Sequence, residues 1–132
     1  MADVDPRTAA LAIARARVVV GLSLFALPGL AARTLTSERS ASANAILRMV
    51  GIRDIALGIG AITTVKEGTL DAEWVSMGAL ADAGDAIAAL FIPAPPLRRL
   101  RNIAVAASSA VVGLALARHL ADERRVLPDA ES

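Results

Sequence analysis

Residues 51–58, Gly51-Ile-Arg-Asp-Ile-Ala-Leu-Gly58, set an arginine beside an aspartate inside a stretch that otherwise reads as a membrane-crossing helix. An ionised side chain at bilayer depth is costly unless it is paired, and helices that carry one turn it inward. Working outward from Arg53 and Asp54, the charges in the other apolar stretches that can meet them are Arg17, Asp82 and Asp85. These five residues are the candidate polar centre.

The whole chain has the composition that such a reading needs. Of its 132 residues, 55% are hydrophobic, and the mean hydropathy is +0.56, above what a soluble core requires. The apolar content is mostly Ala, Leu, Val and Ile, and Phe25, Trp74 and Phe91 are the aromatic residues. With so few rings and a net charge of +1, nucleic-acid binding has neither stacking platforms nor a basic surface to use. The absence of cysteine excludes disulfides, thiolate chemistry and Fe–S ligation, and one histidine, His119, cannot form a His cluster for zinc or di-iron. No metal and no cofactor is expected.

In chain order, apolar stretches predict helices at about 9–27, 45–65, 72–92 and 103–120, with a polar C-terminal tail over 121–132. Asp3 and Asp5 precede the first stretch, the wrong charge for the start of a secretory signal, so the N-terminus is expected to be retained. Pro28-Gly29 ends the first helix, and the residues after it, to Thr36, are expected to lie along the interface. Ser42 or Asn44 is placed to cap the second helix. Gly68 fits a C-terminal cap for it, and Thr69 an N-cap for the third, with Asp71 and Glu73 in the first turn. Trp74 would sit at headgroup level.

Helices of this length suit a hydrocarbon thickness of ~30 Å, and the fold class predicted is all-α, a four-transmembrane-helix antiparallel bundle forming one domain. A soluble bundle is the alternative, because the longest uncharged runs, Val18–Ala32 and Asn102–Ala117, are shorter than a full span. Against it stands the missing polar face: between Ile55 and Val65 only Thr63 and Thr64 carry polar side-chain atoms.

Depth can be counted from the helix ends. At ~1.5 Å per residue, Arg53 lies ~18 Å and Asp85 ~17–20 Å from the same side, while Arg17 at ~12 Å is near the level of Asp82. Pairs Arg53–Asp85 and Arg17–Asp82 follow, leaving one carboxylate in excess that would stay protonated or bind a cation. Arg15 points away from Arg17 and is expected to snorkel to the headgroups, as is Arg48. Small residues mark stripes for helix packing: Gly51, Asp54, Gly58 and Ala61; Gly78, Ala81 or Asp82, and Asp85; Ser109, Gly113 and Ala117. Arg98, Arg99 and Arg101 form a basic cluster for lipid headgroups or a docking partner. The loops and tails give opposing arginine balances, so orientation stays open.

The order Arg17, Gly21, Pro28, then Gly51-Ile-Arg-Asp-Ile-Ala-Leu-Gly58, then Ala81-Asp-Ala-Gly-Asp85 resembles an uncharacterised family of small four-helix membrane proteins of bacteria and fungi, and is loosely similar to DoxX-like proteins. The resemblance covers about residues 9–120 and rests chiefly on Gly-x-Arg-Asp-x-x-x-Gly. It implies the four-helix membrane fold and marks the five charges as shared positions; it implies no activity.

No nucleophile–base constellation is visible. The expectation is therefore a non-enzymatic multi-pass protein of the cytoplasmic membrane, an accessory or assembly subunit of a larger complex, whose buried Arg/Asp network fixes the bundle. Its partners would be membrane lipids and another membrane protein or further copies of itself. The alternative is a small homo-oligomeric transporter or lipid- or ion-binding protein that uses the buried carboxylates.

Overall fold

The computed structural model describes residues 5–66 and 72–126. Its elements are helical throughout: α1 Pro6–Ala26, α2 Pro28–Leu35, α3 Ala41–Lys66, α4 Ala72–Ala89 and α5 Pro96–Val126. Among the described residues there is no strand.

Local chemistry explains where each helix begins. Asp5 caps α1 by accepting from the Thr8 backbone N–H at 3.0 Å and from the Thr8 hydroxyl at 2.9 Å, and Pro6 occupies the first turn, where a missing N–H costs nothing. This starts the helix ahead of residue 9. The hydrogen bonds of Thr8 hold the Asp5 carboxyl below its ordinary value of 3.8, since both favour the ionised form. Leu27 leaves helical geometry and ends α1, and Pro28 opens α2, so the segment from Pro28 is a short helix of its own.

For α3 the cap is Ser40, whose Oγ accepts from the Ala43 N–H at 3.1 Å. Ser42 and Asn44, the expected caps, lie inside the first turn. The residues Gly68, Thr69 and Asp71 fall outside the described ones, as does the tail beyond Val126. At the far end of α4, Leu90 and Phe91 donate three residues back to Ile87 and Ala88 at 3.1 and 3.0 Å. This tightening closes α4 at Ala89 instead of residue 92. The largest correction is α5, which extends past 103–120 at both ends. Pro96 opens it, and the arginine cluster that reads as a loop forms its first two turns.

Packing divides the molecule into two pairs. α1 lies antiparallel along α3, α4 lies along α5, and the pairs meet mainly through side chains. The interior is made of small residues. Among the described residues, ten hydrophobic ones are buried, eight of them alanine and the other two Leu24 and Leu120, and no large side chain is fully buried. The large aliphatic residues point out: Phe91 is 80% exposed, Leu80 71%, Met49 69% and Val111 67%.

By length and composition, α1 and the Pro96–Glu123 part of α5 are apolar enough to cross a membrane. α3 and α4 have the length, but every 18-residue window in them carries three charged residues, drawn from Arg48, Arg53, Asp54 and Lys66 in α3 and from Glu73, Asp82 and Asp85 in α4. Their charged residues thus set α3 and α4 apart from α1 and α5.

Candidate functional site

The five charged residues come together where α1, α3 and α4 meet. Arg17 sits on the inner face of α1 in one line with Ala10, Ala14, Gly21 and Leu24, all buried. At spacings of three and four these positions share one side of a helix. Asp54 occupies the corresponding face of α3, between the buried Gly51 and Gly58, with Ala61 one turn on.

Arg17 is the hub between the pairs. Its Nη1 donates to Asp54 Oδ1 at 3.2 Å, and its Nη2 donates to Asp82 Oδ2 at 2.5 Å and to the Gly78 carbonyl at 3.2 Å. Arg53 forms a fork with Asp85, Nη1 to Oδ1 at 2.8 Å and Nη2 to Oδ2 at 2.7 Å. Its Nε and Nη2 also donate to Asp54 Oδ1, at 3.3 and 3.0 Å. The two pairings counted from helix depth are therefore both formed. The depth count could not find the role of Asp54, which accepts from both arginines and joins the pairs into one network. Two guanidiniums face three carboxylates, so with all groups ionised the centre carries one net negative charge, and no carboxylate lacks a cation.

Exposure differs along the network. The side chains of Arg17, Asp54 and Asp82 are 12%, 10% and 14% exposed, whereas those of Arg53 and Asp85 are 34% and 36% exposed. The inner triad is enclosed, while the outer fork shows about a third of itself at the surface.

The glycines serve two kinds of contact. A Cβ on Gly51 would stand 2.6 Å from the Gly21 carbonyl oxygen, and one on Gly21 2.6 Å from the Gly51 carbonyl oxygen; on Gly58 it would meet the Ala14 carbonyl at 2.7 Å. These glycines let two backbones touch. Gly78 differs, because its missing Cβ leaves room for the Arg17 guanidinium, whose atoms would be 3.3–3.4 Å from it. Gly113 admits the Ala79 methyl, and Gly60, which the stripes overlook, lies under the Trp74 ring. Trp74 thus packs on α3 from the first turn of α4. Ser109 is a correction: the buried line of α5 runs through Ala110, Gly113, Ala117 and Leu120, and Ser109 lies one position off it, exposed. It borders a cavity of about 30 Å³ beside Arg17, Asp82, Trp74 and Gly113, about the space one water occupies.

The arginine cluster has an internal task. Arg98 Nη1 donates to the carbonyls of Arg33 and Thr36 at 3.1 and 3.3 Å, Arg101 Nη2 to that of Thr34 at 2.6 Å, and Asn102 Nδ2 to that of Leu35 at 2.7 Å. These are the carbonyls that the end of α2 leaves open, where the helix dipole favours a cation. Arg48 likewise turns to the Phe25 carbonyl at the end of α1, at 3.4 Å. Arg99 is exposed. Asn102 was not singled out from sequence; its place one turn after Arg98 was the available signal.

Among the described residues, no group of three or more His, Asp or Glu side chains is arranged to hold a metal ion. No family model, no curated protein and no solved structure matches the chain.

Proposed function

We propose that α1, α3, α4 and α5 all cross the cytoplasmic membrane as an antiparallel bundle, and that the chain acts there without chemistry of its own, as an accessory or assembly subunit of a larger complex. The observation that carries this reading is the inversion of the usual order, with small residues and charges inside and large aliphatic residues outside. Twenty-one large hydrophobic side chains are exposed among the described residues. At ~1.5–3 kcal/mol for full burial of each, leaving them half in water forgoes on the order of 20 kcal/mol. A soluble domain is stabilised by only ~5–15 kcal/mol in total, so lipid is the solvent that suits this surface.

Within lipid, packing must come from close backbones and internal polar contacts. The glycine contacts of α1 with α3 supply the first, and the Arg/Asp network supplies the second. With every carboxylate held by an arginine, the network acts as a staple that sets how α4 docks, which is the work of a scaffold.

Extraction of tagged protein from its native membrane in mild detergent tests this. The expected result is resistance to alkaline carbonate and co-purification of larger membrane proteins in fixed ratio; recovery of the chain with no other protein would overturn the accessory role. The second reading, ion or proton handling, draws on the water-sized cavity at Arg17 and Asp82. Under that reading Asp85→Asn keeps the fold and abolishes pH-dependent flux in vesicles.

A further inference from the structure

Six of the described glycines have a reason inside the chain: a Cβ on Gly21, Gly51, Gly58, Gly60, Gly78 or Gly113 would come within 3.4 Å of a neighbour. Gly84, in the interior of α4, has nothing within 4 Å of where its Cβ would be, and it is exposed. A glycine in mid-helix is less favourable than alanine, because it fixes a freer backbone. Nothing among the described residues makes use of the gap. Ala88, one turn further, is also small and exposed. Together they form a notch on the outer side of α4, flanked by Leu80 and Ile87, which are 71% and 63% exposed.

Beside this notch lies the outer fork. Arg53 and Asp85 are about one-third exposed, and Asp85 follows Gly84 directly. Both residues hold a charge at the middle of helices that the preceding section reads as membrane-crossing, so their exposed edges would face hydrocarbon. An exposed charge there is costly, and a protein partner that covers it relieves the cost. What the surface offers is one cation next to one anion. A two-fold axis brings such a surface onto its own copy with the signs opposed, which is the self-complementarity of a symmetric dimer.

We propose that two copies of this chain pair in the membrane across α4, backbone to backbone at Gly84 and Ala88, with Arg53 of each copy facing the partner's Asp85. The result is a ring of four charges in place of two forks that are each about one-third exposed. The outer faces of α1 and α5 stay open to lipid or to another subunit. This inference rests on the reading of α4 as a membrane helix.

The chain contains no cysteine, so Gly84→Cys provides a single thiol at the proposed contact, in a place where the fold has room for it. In native membranes treated with a mild oxidant, Gly84→Cys is expected to convert most of the chain to a disulfide-linked species of twice the mass, because backbones this close bring the Cα atoms within disulfide range. Val111→Cys, on the outer face of α5, is expected to remain monomeric, and Gly84→Leu is expected to accumulate in the membrane but lose the dimer on detergent sizing.

A membrane-embedded Gly84→Cys chain that stays monomeric would overturn the dimer, as would crosslinking no greater than at Val111→Cys, a crosslinked species of another mass, or a dimer that survives Gly84→Leu. A chain found in the soluble fraction would overturn the membrane reading, and the dimer with it.

Discussion

Two of the seams that hold this molecule together differ in kind. Between α1 and α3 the contact is backbone on backbone, with Gly21 set against Gly51 and Gly58 against Ala14. Between that pair and α4 the contact is made by long polar side chains, Arg17 and Arg53 reaching across to Asp82 and Asp85. The first seam has no slack, because nothing in it can rotate away. The second spans a wider gap with flexible groups and depends on charge balance. The comparison teaches that in an interior without large hydrophobic side chains, shape and charge can divide the work between separate interfaces.

The largest effect is expected at the charged seam. Arg17→Met leaves Asp82 without its cation and removes one of the three hydrogen bonds that Asp54 accepts; taking one partner from a buried ion pair costs about 3–5 kcal/mol. Thermal unfolding in detergent should show this loss. Arg17→Lys should recover only part of it, since one ammonium cannot reproduce the planar fork that spans Asp54 and Asp82.

Next comes the same substitution at both seams. Gly51→Ala places a methyl against a carbonyl oxygen that cannot move alone, and overpacking of this kind costs about 1–3 kcal/mol. Gly78→Ala meets only the end of the Arg17 side chain, which can shift by a few tenths of an ångström, so its melting temperature should fall less. Equal losses at the two sites would erase the distinction between rigid and adaptable seams.

A smaller effect tests whether the charges act as a unit. Replacing the outer fork together, Arg53→Met with Asp85→Leu, should cost less than Arg53→Met alone, because an ion pair exchanged whole for apolar residues is often neutral and what remains is the loss of the two hydrogen bonds that Arg53 gives Asp54. Either change alone should be worse than the pair, and thermal unfolding of the three variants reads this coupling directly.

The smallest effect lies outside both seams. The folded Asp5 carboxyl has its pKa below the ordinary 3.8, so its cap stabilises the helix fully above that value and loses its contribution as pH falls through the lowered one. Protection of the Thr8 amide, taken relative to its intrinsic exchange rate at each pH, should fall as the pH drops below 3.8. With Asp5→Asn, which caps without titrating, exchange should show no such step.

How far the sequence reveals this arrangement depends on the range of the interaction. Helical rise alone levels Arg53 with Asp85 and Arg17 with Asp82, because depth needs only a count from a helix end. The bridging by Asp54 needs the rotation of α1 about α3, which no single-helix pattern contains, so an odd carboxylate stands over in the sequence reading. The start of α5 was hidden because Arg98, Arg99 and Arg101 read as a loop; their acceptors at the end of α2 lie more than sixty residues away. Ser40, Ser42 and Asn44 are all good cap residues, and only the first-turn geometry separates them. Ser109 was misplaced by one position, about 100° around its helix.

The central claim is that α3 and α4, charges included, lie within the bilayer. The most direct measurement is labelling of single cysteines by a membrane-impermeant maleimide in intact membranes, using Ile52→Cys on α3 and Ile87→Cys on α4, with Ser37→Cys between α2 and α3 as the reference for a water-facing site. The account predicts that Ile52→Cys and Ile87→Cys stay unlabelled until the membrane is dissolved, while Ser37→Cys reacts in membranes opened to the reagent on both sides. Labelling of Ile52→Cys or Ile87→Cys as fast as Ser37→Cys in those same membranes would contradict it.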